Sequence, residues 1–426
     1  MKKYKILMSV SLLAFLIIIS GCGGGNNSND EDVTLNVAME EHTAVNELEK
    51  LLPEFEKETG IEVNFEILPQ DEMNNKVALA LSSDSDQYDA AMLDHMYLPE
   101  YAQADWIEDL SSYIDDNKDM EIDDFMESFL DSLKYEDNIY GLPFYGESTM
   151  LMYNKKMFEE AGIDSPPSNF EELNETAEKL TNDDTKGIAM RGSRDAGGNV
   201  YVWAGFYNAL GGEWDENGKP DLTSEAGVKS IDLYTNLIND YGPSGGANFT
   251  WDQVQLSMQQ GTSGMTIDAT NFATRLEDDE ESNVVGDIGY APIPEGPEGA
   301  SPSTATHGLI IPKGANNKDA SFKFINWATS KDVQLETSLN GERGDAVRKS
   351  VWESDEFLEK YDYDDGRWSE AAIESMDSAD PDYRPRVSEW NQMMDELGVS
   401  ISDVLAGEDT TKSVEKTQKD IDDIFE

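Results

Sequence analysis

Three histidines are spread over 426 residues, and each stands at the end of an expected strand. His42 follows the alternating run Val33 to Met39, His95 follows the apolar run Tyr88 to Leu93, and His307 immediately precedes Gly308 to Pro312. An imidazole in such a place can cap a backbone, ligate a metal or hydrogen-bond a polar ligand. The sequence leaves three readings open: unrelated surface or capping residues, one zinc site built from all three, or hydrogen bonding to a ligand in a cleft. Glu41 and Asp94 share the same strand-end loops as His42 and His95. The tryptophans divide. Trp106 and Trp327 lie in amphipathic patterns and are expected in the core. Trp203, within Asn199 to Phe206 (NVYVWAGF), and Trp251, Trp368 and Trp390 lie near polar or Gly-rich turns. Faces of that kind suit the C–H side of a sugar ring, whose hydroxyls need carboxylates, amides and arginine. A core role fits each of the four equally well.

Enzyme signatures are missing. There is no G-x-S-x-G, no P-loop and no G-x-G-x-x-G, and no two histidines lie at metal-ligand spacing. With 88 acidic residues, paired carboxylates carry no information about acid–base catalysis. The loop Asp215 to Asp221 (DENGKPD) puts Lys219 where a calcium loop needs an oxygen ligand. No metal and no cofactor is therefore expected. The formal net charge of −57 excludes a basic nucleic-acid footprint and disfavours anionic lipid headgroups. It reads as an acidic surface suited to high salt.

The elements that must position these residues follow an α/β order. Val33 to Met39 and Ile61 to Leu68 alternate as strands. Between them Val45, Leu48, Leu51, Leu52 and Phe55 recur at helical spacing, up to Gly60. Tyr88 to Leu93 is a third strand. Such an order gives a mainly parallel sheet, with ligands beyond the carboxyl ends of its strands. Farther on, Ser168 and Glu171 form a capping-box pattern, and Ser224 to Tyr241 carries one broad apolar face. Gly264 to Ile267 is a short strand ending at Asp268.

The N-terminus carries its own message. Lys2, Lys3 and Lys5 precede the apolar run Leu12 to Ile19, then Ile19-Ser20-Gly21-Cys22. This predicts a lipoprotein signal peptide over residues 1–21, lipidation of Cys22 and a polar tether over 22–32. The run is too short to span a membrane comfortably. The protein is therefore expected on the outer face of the cytoplasmic membrane, or in the periplasm if an outer membrane is present, and it is tethered only by its N-terminal lipid. Cys22 is the only cysteine, so no internal disulfide can form.

The run Gly141-Leu142-Pro143-Phe144-Tyr145-Gly146-Glu147, followed by Leu151 to Lys155, Phe158, Ala161-Gly162 and Pro167, resembles the first crossover of the family 1 extracellular solute-binding proteins, the sugar-binding lipoproteins of ABC importers. Tyr88 to Ile107, Met258 to Thr270, His307 to Trp327, Gly341 to Val351 and Tyr383 to Trp390 resemble further family segments in the same order. The resemblance implies a two-lobed, periplasmic-binding-protein-like α/β fold of type II, with three interlobe crossovers and a ligand cleft between the lobes. The first lobe is expected over residues 33–143 and 268–307, the second over 144–267 and 308–426. The resemblance puts the family's hinge carboxylate on Glu147, beside Tyr145, and places Asp94 and His95 in the first lobe's strand-end loop. Asp268 falls at a crossover, with Asn271-Phe272 where a stacking aromatic often stands. That departure favours a ligand held by hydrogen bonds, such as a monosaccharide, polyol or short oligosaccharide. Trp203 and Trp251 are nominated for stacking, and Glu41, His42, His307, Arg343 and Arg386 for polar contacts. The implied protein is a monomer that hands its solute to the importer's permease subunits; it is not an enzyme. Two rivals stay open: a binder of a cationic solute such as a betaine, which needs an aromatic cage, and an extracellular glycan-acting enzyme, which needs a carboxylate pair at catalytic separation.

Overall fold

The computed structural model describes residues 33–194 and 197–426. The expected signal peptide, the tether and Cys22 lie outside the described residues. Strands β1 (Val33–Glu40), β2 (Ile61–Leu68) and β3 (Ala90–Asp94) run parallel, with β1 between the other two. The helix Thr43–Thr59 joins β1 to β2 and buries Val45, Leu48, Leu51, Leu52 and Phe55 along one face. Each such side chain contributes about 2 kcal/mol of apolar burial. His42 caps this helix: its Nδ1 accepts the Ala44 N–H at 3.2 Å. Gly60 ends it at φ 72°, a left-handed conformation that glycine adopts without a Cβ penalty.

A two-residue hairpin, β4 (Lys134–Tyr135) and β5 (Asn138–Ile139), leads into β6 (Gly141–Asn154). This 14-residue strand is the spine of the molecule. Its first half, to Ser148, pairs antiparallel with β9 (Thr304–Ile310). Its second half pairs with β7 (Met265–Ala269) and β8 (Ile288–Ala291). The sheet order is β2-β1-β3-β9-β6-β7, with β8 also on β6. Alternation along β6 feeds two cores: Met150 and Met152 face the first, Leu151 the second. The second core lies beneath the helices Phe170–Leu180, Asn199–Ala209, Glu225–Tyr241 and Trp390–Leu405. This is the expected two-lobed α/β arrangement.

After Asp268, β8 pairs with the far half of β6, while Phe272, Leu276, Ile288 and Tyr290 join the first core. Strand pairing moves one of the expected lobe boundaries. The chain does not leave the first lobe at 308, because β9 continues beside β3 to Ile310. The following helix, Lys318–Ala328, sets Phe324 against Phe55 at 5.7 Å in the first core. Hydroxyls pin the crossovers together. Ser148 Oγ donates to the Ser303 carbonyl (2.9 Å), the Ser303 N–H to Thr149 Oγ1 (2.8 Å), and Ser375 Oγ to the Thr149 carbonyl (2.6 Å).

Candidate ligand site at the strand crossovers

Register builds the first half of the site. Across β3, β9 and β6, His307 stands opposite both Asp94 and Tyr145. The Tyr145 ring is sandwiched between two imidazoles: His42 at 4.1 Å and 8° between planes, and His307 at 4.3 Å and 18°. Glu40, the last residue of β1, places a carboxylate oxygen 3.2 Å from His307 Nδ1. His42 Nε2 faces Asp345 at 3.7 Å, and Asp345 lies 3.2 Å from Arg343. The second lobe supplies the other half. Arg191 Nε donates to both carboxylate oxygens of Asp268 (3.1 and 3.0 Å), with Nη2 adding a further bond, and Arg191 Nη1 donates to the Gly197 carbonyl. Its guanidinium lies over the Tyr201 ring at 4.6 Å. Arg384 lies over Tyr383 at 4.9 Å and Tyr201 at 5.5 Å. Glu147, on β6 between the two halves, interacts with charges on both.

Burial and neighbouring charge set the protonation states. Burial pushes the half-buried Glu147 carboxyl up to about 7, aided by Asp268 and Asp345 and opposed by Arg191 and His307. Burial acts against a charge on His307, yet Glu40, Asp94 and Glu147 outweigh it and raise the imidazole to about 9. His42 goes the other way: burial, then Arg343, lowers it to about 3, so it is neutral. Burial likewise lowers His95 against the pull of Asp94. Burial would raise Asp94, but the His95 hydrogen bond and nearby positive charge hold it well below the usual carboxylate range.

What distinguishes this region is unsatisfied polarity. Buried atoms without a hydrogen-bond partner include His95 Nε2, Tyr201 OH, Thr306 Oγ1, Arg343 Nη1 and Arg384 Nε. Each such group costs about 1–3 kcal/mol while unmade, and donors and acceptors are both represented. Two surface cavities of about 380 Å³ each lie elsewhere, one beside Tyr135 and Arg386, the other beside Trp214 and Lys219. Neither contains these groups, so the unsatisfied cluster, and not cavity size, marks the site.

The structure gathers His42, Asp94, His95, Tyr145, Glu147 and His307. It does not gather the histidines as a metal would need, because two of them stack on opposite faces of one tyrosine. Other nominated residues fall differently. Glu41 lies just past the end of β1 and is exposed; Glu40, the last strand residue, is the one that faces His307. Trp203 is core: it is fully buried, donates from Nε1 to Ser230 Oγ at 3.1 Å and packs on Tyr207. Trp203→Ala is expected to cost about 3–5 kcal/mol in urea unfolding. Trp251 sits in the first turn of the helix Trp251–Gln259, 42 % exposed, apart from the ring stack. Asp268 is wholly buried and committed to Arg191, and Arg343 is placed to orient Asp345. Asn271 caps the short helix Phe272–Leu276 through its carbonyl, which accepts from Thr274. Arg386 donates to the carbonyls of Asp131, Ser132 and Lys134, which occupies its Nη1 away from the cluster.

Sequence reasoning missed Glu40, Arg191, Tyr201, Asp345 and Arg384. Arg191 had a signal: it ends the short apolar run Ile188 to Met190, so the strand-end argument reaches it. Tyr201 had none, because its helix, Asn199–Ala209, is buried nearly all round and shows no polar face.

A two-lobed α/β chain with unsatisfied polar groups where its lobes meet is built as a solute-binding protein. Residues 41–335 match the family model described as bacterial extracellular solute-binding protein, and the chain belongs to that family. It is a family of solute receptors, not of enzymes. The erythritol/L-threitol-binding protein of Mycolicibacterium smegmatis is 23 % identical over 95 % of this chain and 92 % of its own length. The mannitol-binding protein of Pseudomonas aeruginosa is 25 % identical over 70 % of this chain and 69 % of its own. Among solved structures, the solute-binding protein of Agrobacterium radiobacter K84 in complex with ribitol superposes with a TM-score of 0.83 at 26 % identity, covering 92 % of this chain and 99 % of that one. A homologue from Agrobacterium vitis S4 with bound D-mannitol gives 0.79 at 26 % identity, covering 92 % and 97 %.

Proposed function

We propose that the protein is the receptor of an ABC importer, capturing an acyclic polyol or small monosaccharide between its lobes and delivering it to the permease subunits. The observation that carries this reading is the cluster of buried, unpartnered donors and acceptors at the crossovers. A polyol hydroxyl both donates and accepts, so a row of them can satisfy Glu40, His95, His307 and Arg384 together. The aromatic inventory argues for hydrogen bonding over stacking. Both faces of Tyr145 are covered by imidazoles and Trp203 is core, which leaves little floor for a maltodextrin. It also argues against a betaine cage, since the Tyr201 and Tyr383 faces already carry arginines. The named relatives and complexes with erythritol, mannitol and ribitol support the same solute class. Closure is driven by differential affinity for the closed form. In this reading Cys22 carries the lipid, the tether lifts a monomeric body off the membrane, and the acidic surface faces a saline exterior.

A thermal-shift panel tests it. A ligand of the folded state raises the melting temperature, by about 2.7 kcal/mol of stabilisation at one hundred times its Kd. Alditols or monosaccharides should give the largest shifts. A response confined to betaines or to long maltodextrins would overturn the proposed solute class.

A further inference from the structure

Among the described residues, the buried cations of the site stand beside carboxylates, with one exception. Arg191 holds Asp268, Arg343 lies by Asp345, and His307 faces Glu40. Among the described residues, Arg384 has no carboxylate in ion-pair contact. It is 4 % exposed and its Nε has no hydrogen-bond partner. Ring faces surround it: Tyr383 at 4.9 Å, and Tyr201 and Trp390 each at 5.5 Å. Cation–π contacts offset only part of the cost of burying an unpaired guanidinium. The nearby Asp94 carboxylate does not complete a pair, because it accepts from the Met96 N–H at 3.0 Å and lies against His95 Nδ1 at 3.2 Å.

A second unpartnered group stands nearby. His95 is fully buried, its Nδ1 lies 3.2 Å from the Asp94 carboxylate and 3.3 Å from the Thr306 nitrogen, and its Nε2 has no partner. Burial lowers His95 and leaves it neutral, with the nearby Arg384 charge acting in the same direction. Arg384 offers donors and no acceptor. Glu40, Glu147 and Asp345 cluster instead around His307. Arg384 is thus the buried cation of the site that lacks a carboxylate, and a neutral alditol hydroxyl leaves its charge uncompensated.

We propose that Arg384 is a specificity-determining residue that receives a carboxylate at one terminus of the solute, so that polyhydroxy carboxylic acids (aldonates) bind more tightly than the matching alditols. A carboxylate takes two parallel N–H donors from a guanidinium, roughly twice as strong as neutral hydrogen bonds. The acidic surface slows an anion's approach but acts through screened solvent, whereas the pair forms in a buried site. The inference rests on the polyhydroxy-solute reading above.

The test is calorimetry on the intact protein at pH 8 and moderate salt, with ribitol against ribonate and mannitol against mannonate, repeated on Arg384→Gln and Arg384→Lys. The aldonate should bind at least about tenfold tighter than its alditol. The ratio should fall to near one in Arg384→Gln and be partly kept in Arg384→Lys. Alditol binding with no aldonate preference in the unaltered protein overturns this inference alone, whether or not a variant folds. So does a preference that survives Arg384→Gln. If neither solute type binds, both this inference and the polyol reading fall.

Discussion

Asp268→Ala is expected to destabilise the protein by about 3–5 kcal/mol, the usual cost of leaving a buried charge without its partner. Asp268 is wholly buried and Arg191 nearly so. Arg191 meets Asp268 through Nε and Nη2, and only Nη1 has another acceptor, the Gly197 carbonyl. Removing the carboxylate strands a guanidinium beneath Tyr201, next to the candidate ligand site. The loss should reach binding as well, because Asp268 contributes to raising Glu147; without it, unopposed Arg191 draws the Glu147 carboxyl down. Urea unfolding measures the stability term through the midpoint at constant slope. The double variant Arg191→Met/Asp268→Leu should recover most of it, since an apolar pair can replace a buried ion pair at little cost. A single-variant loss below about 1 kcal/mol, the range of a surface pair, would contradict the account.

Glu147→Ala is expected to weaken solute binding by at least tenfold, about 1.4 kcal/mol, while the protein stays folded. Glu147 sits where β6 passes from one lobe to the other, with Arg191 on one side and His307 on the other. Its carboxyl is raised to about 7 in the free protein. A hydroxyl that donates to it favours the carboxylate, so binding should release a proton near neutrality and affinity should rise between pH 6 and pH 8. Calorimetry in two buffers of different ionisation heat reads that proton directly. Proton uptake, or unchanged affinity in Glu147→Ala, would remove Glu147 from the site. The same groups make the unliganded protein less stable in alkali. The raised Glu147 contributes stability below its ordinary 4.5 that is lost as pH rises through about 7. His307 contributes stability below 6.5 that is lost as pH rises through about 9.

Much of this architecture was legible because its signals are local. The helix Thr43–Thr59 announced itself by apolar spacing and by Gly60, and the strand-end argument led to His42, Asp94, His95 and His307 before any neighbour was known. What failed was non-local. Glu40 was missed by one residue because a strand's last position and its face are decided by pairing with β2 and β3. Trp203 looked available because its helix carries small and polar residues near a Gly-rich turn, yet two layers of helices bury it. The lobe boundary at 308 failed because β9 runs on beside β3 to Ile310, and that partner lies more than two hundred positions away. Arg386 and Arg384 are two residues apart in one segment. Which of them finds carbonyl partners and which is left unpaired depends on contacts that spacing does not encode.

The most direct measurement is calorimetric titration of the intact protein with ribitol and with mannitol, alongside His307→Ala. The account predicts a Kd of about 1 μM or tighter, about −8 kcal/mol, for at least one of them. It predicts a loss of at least tenfold in His307→Ala, because removing the imidazole leaves Glu40 buried without its cation and breaks the ring stack on Tyr145. No heat with either alditol or with any monosaccharide, or an unchanged Kd in His307→Ala, would contradict it.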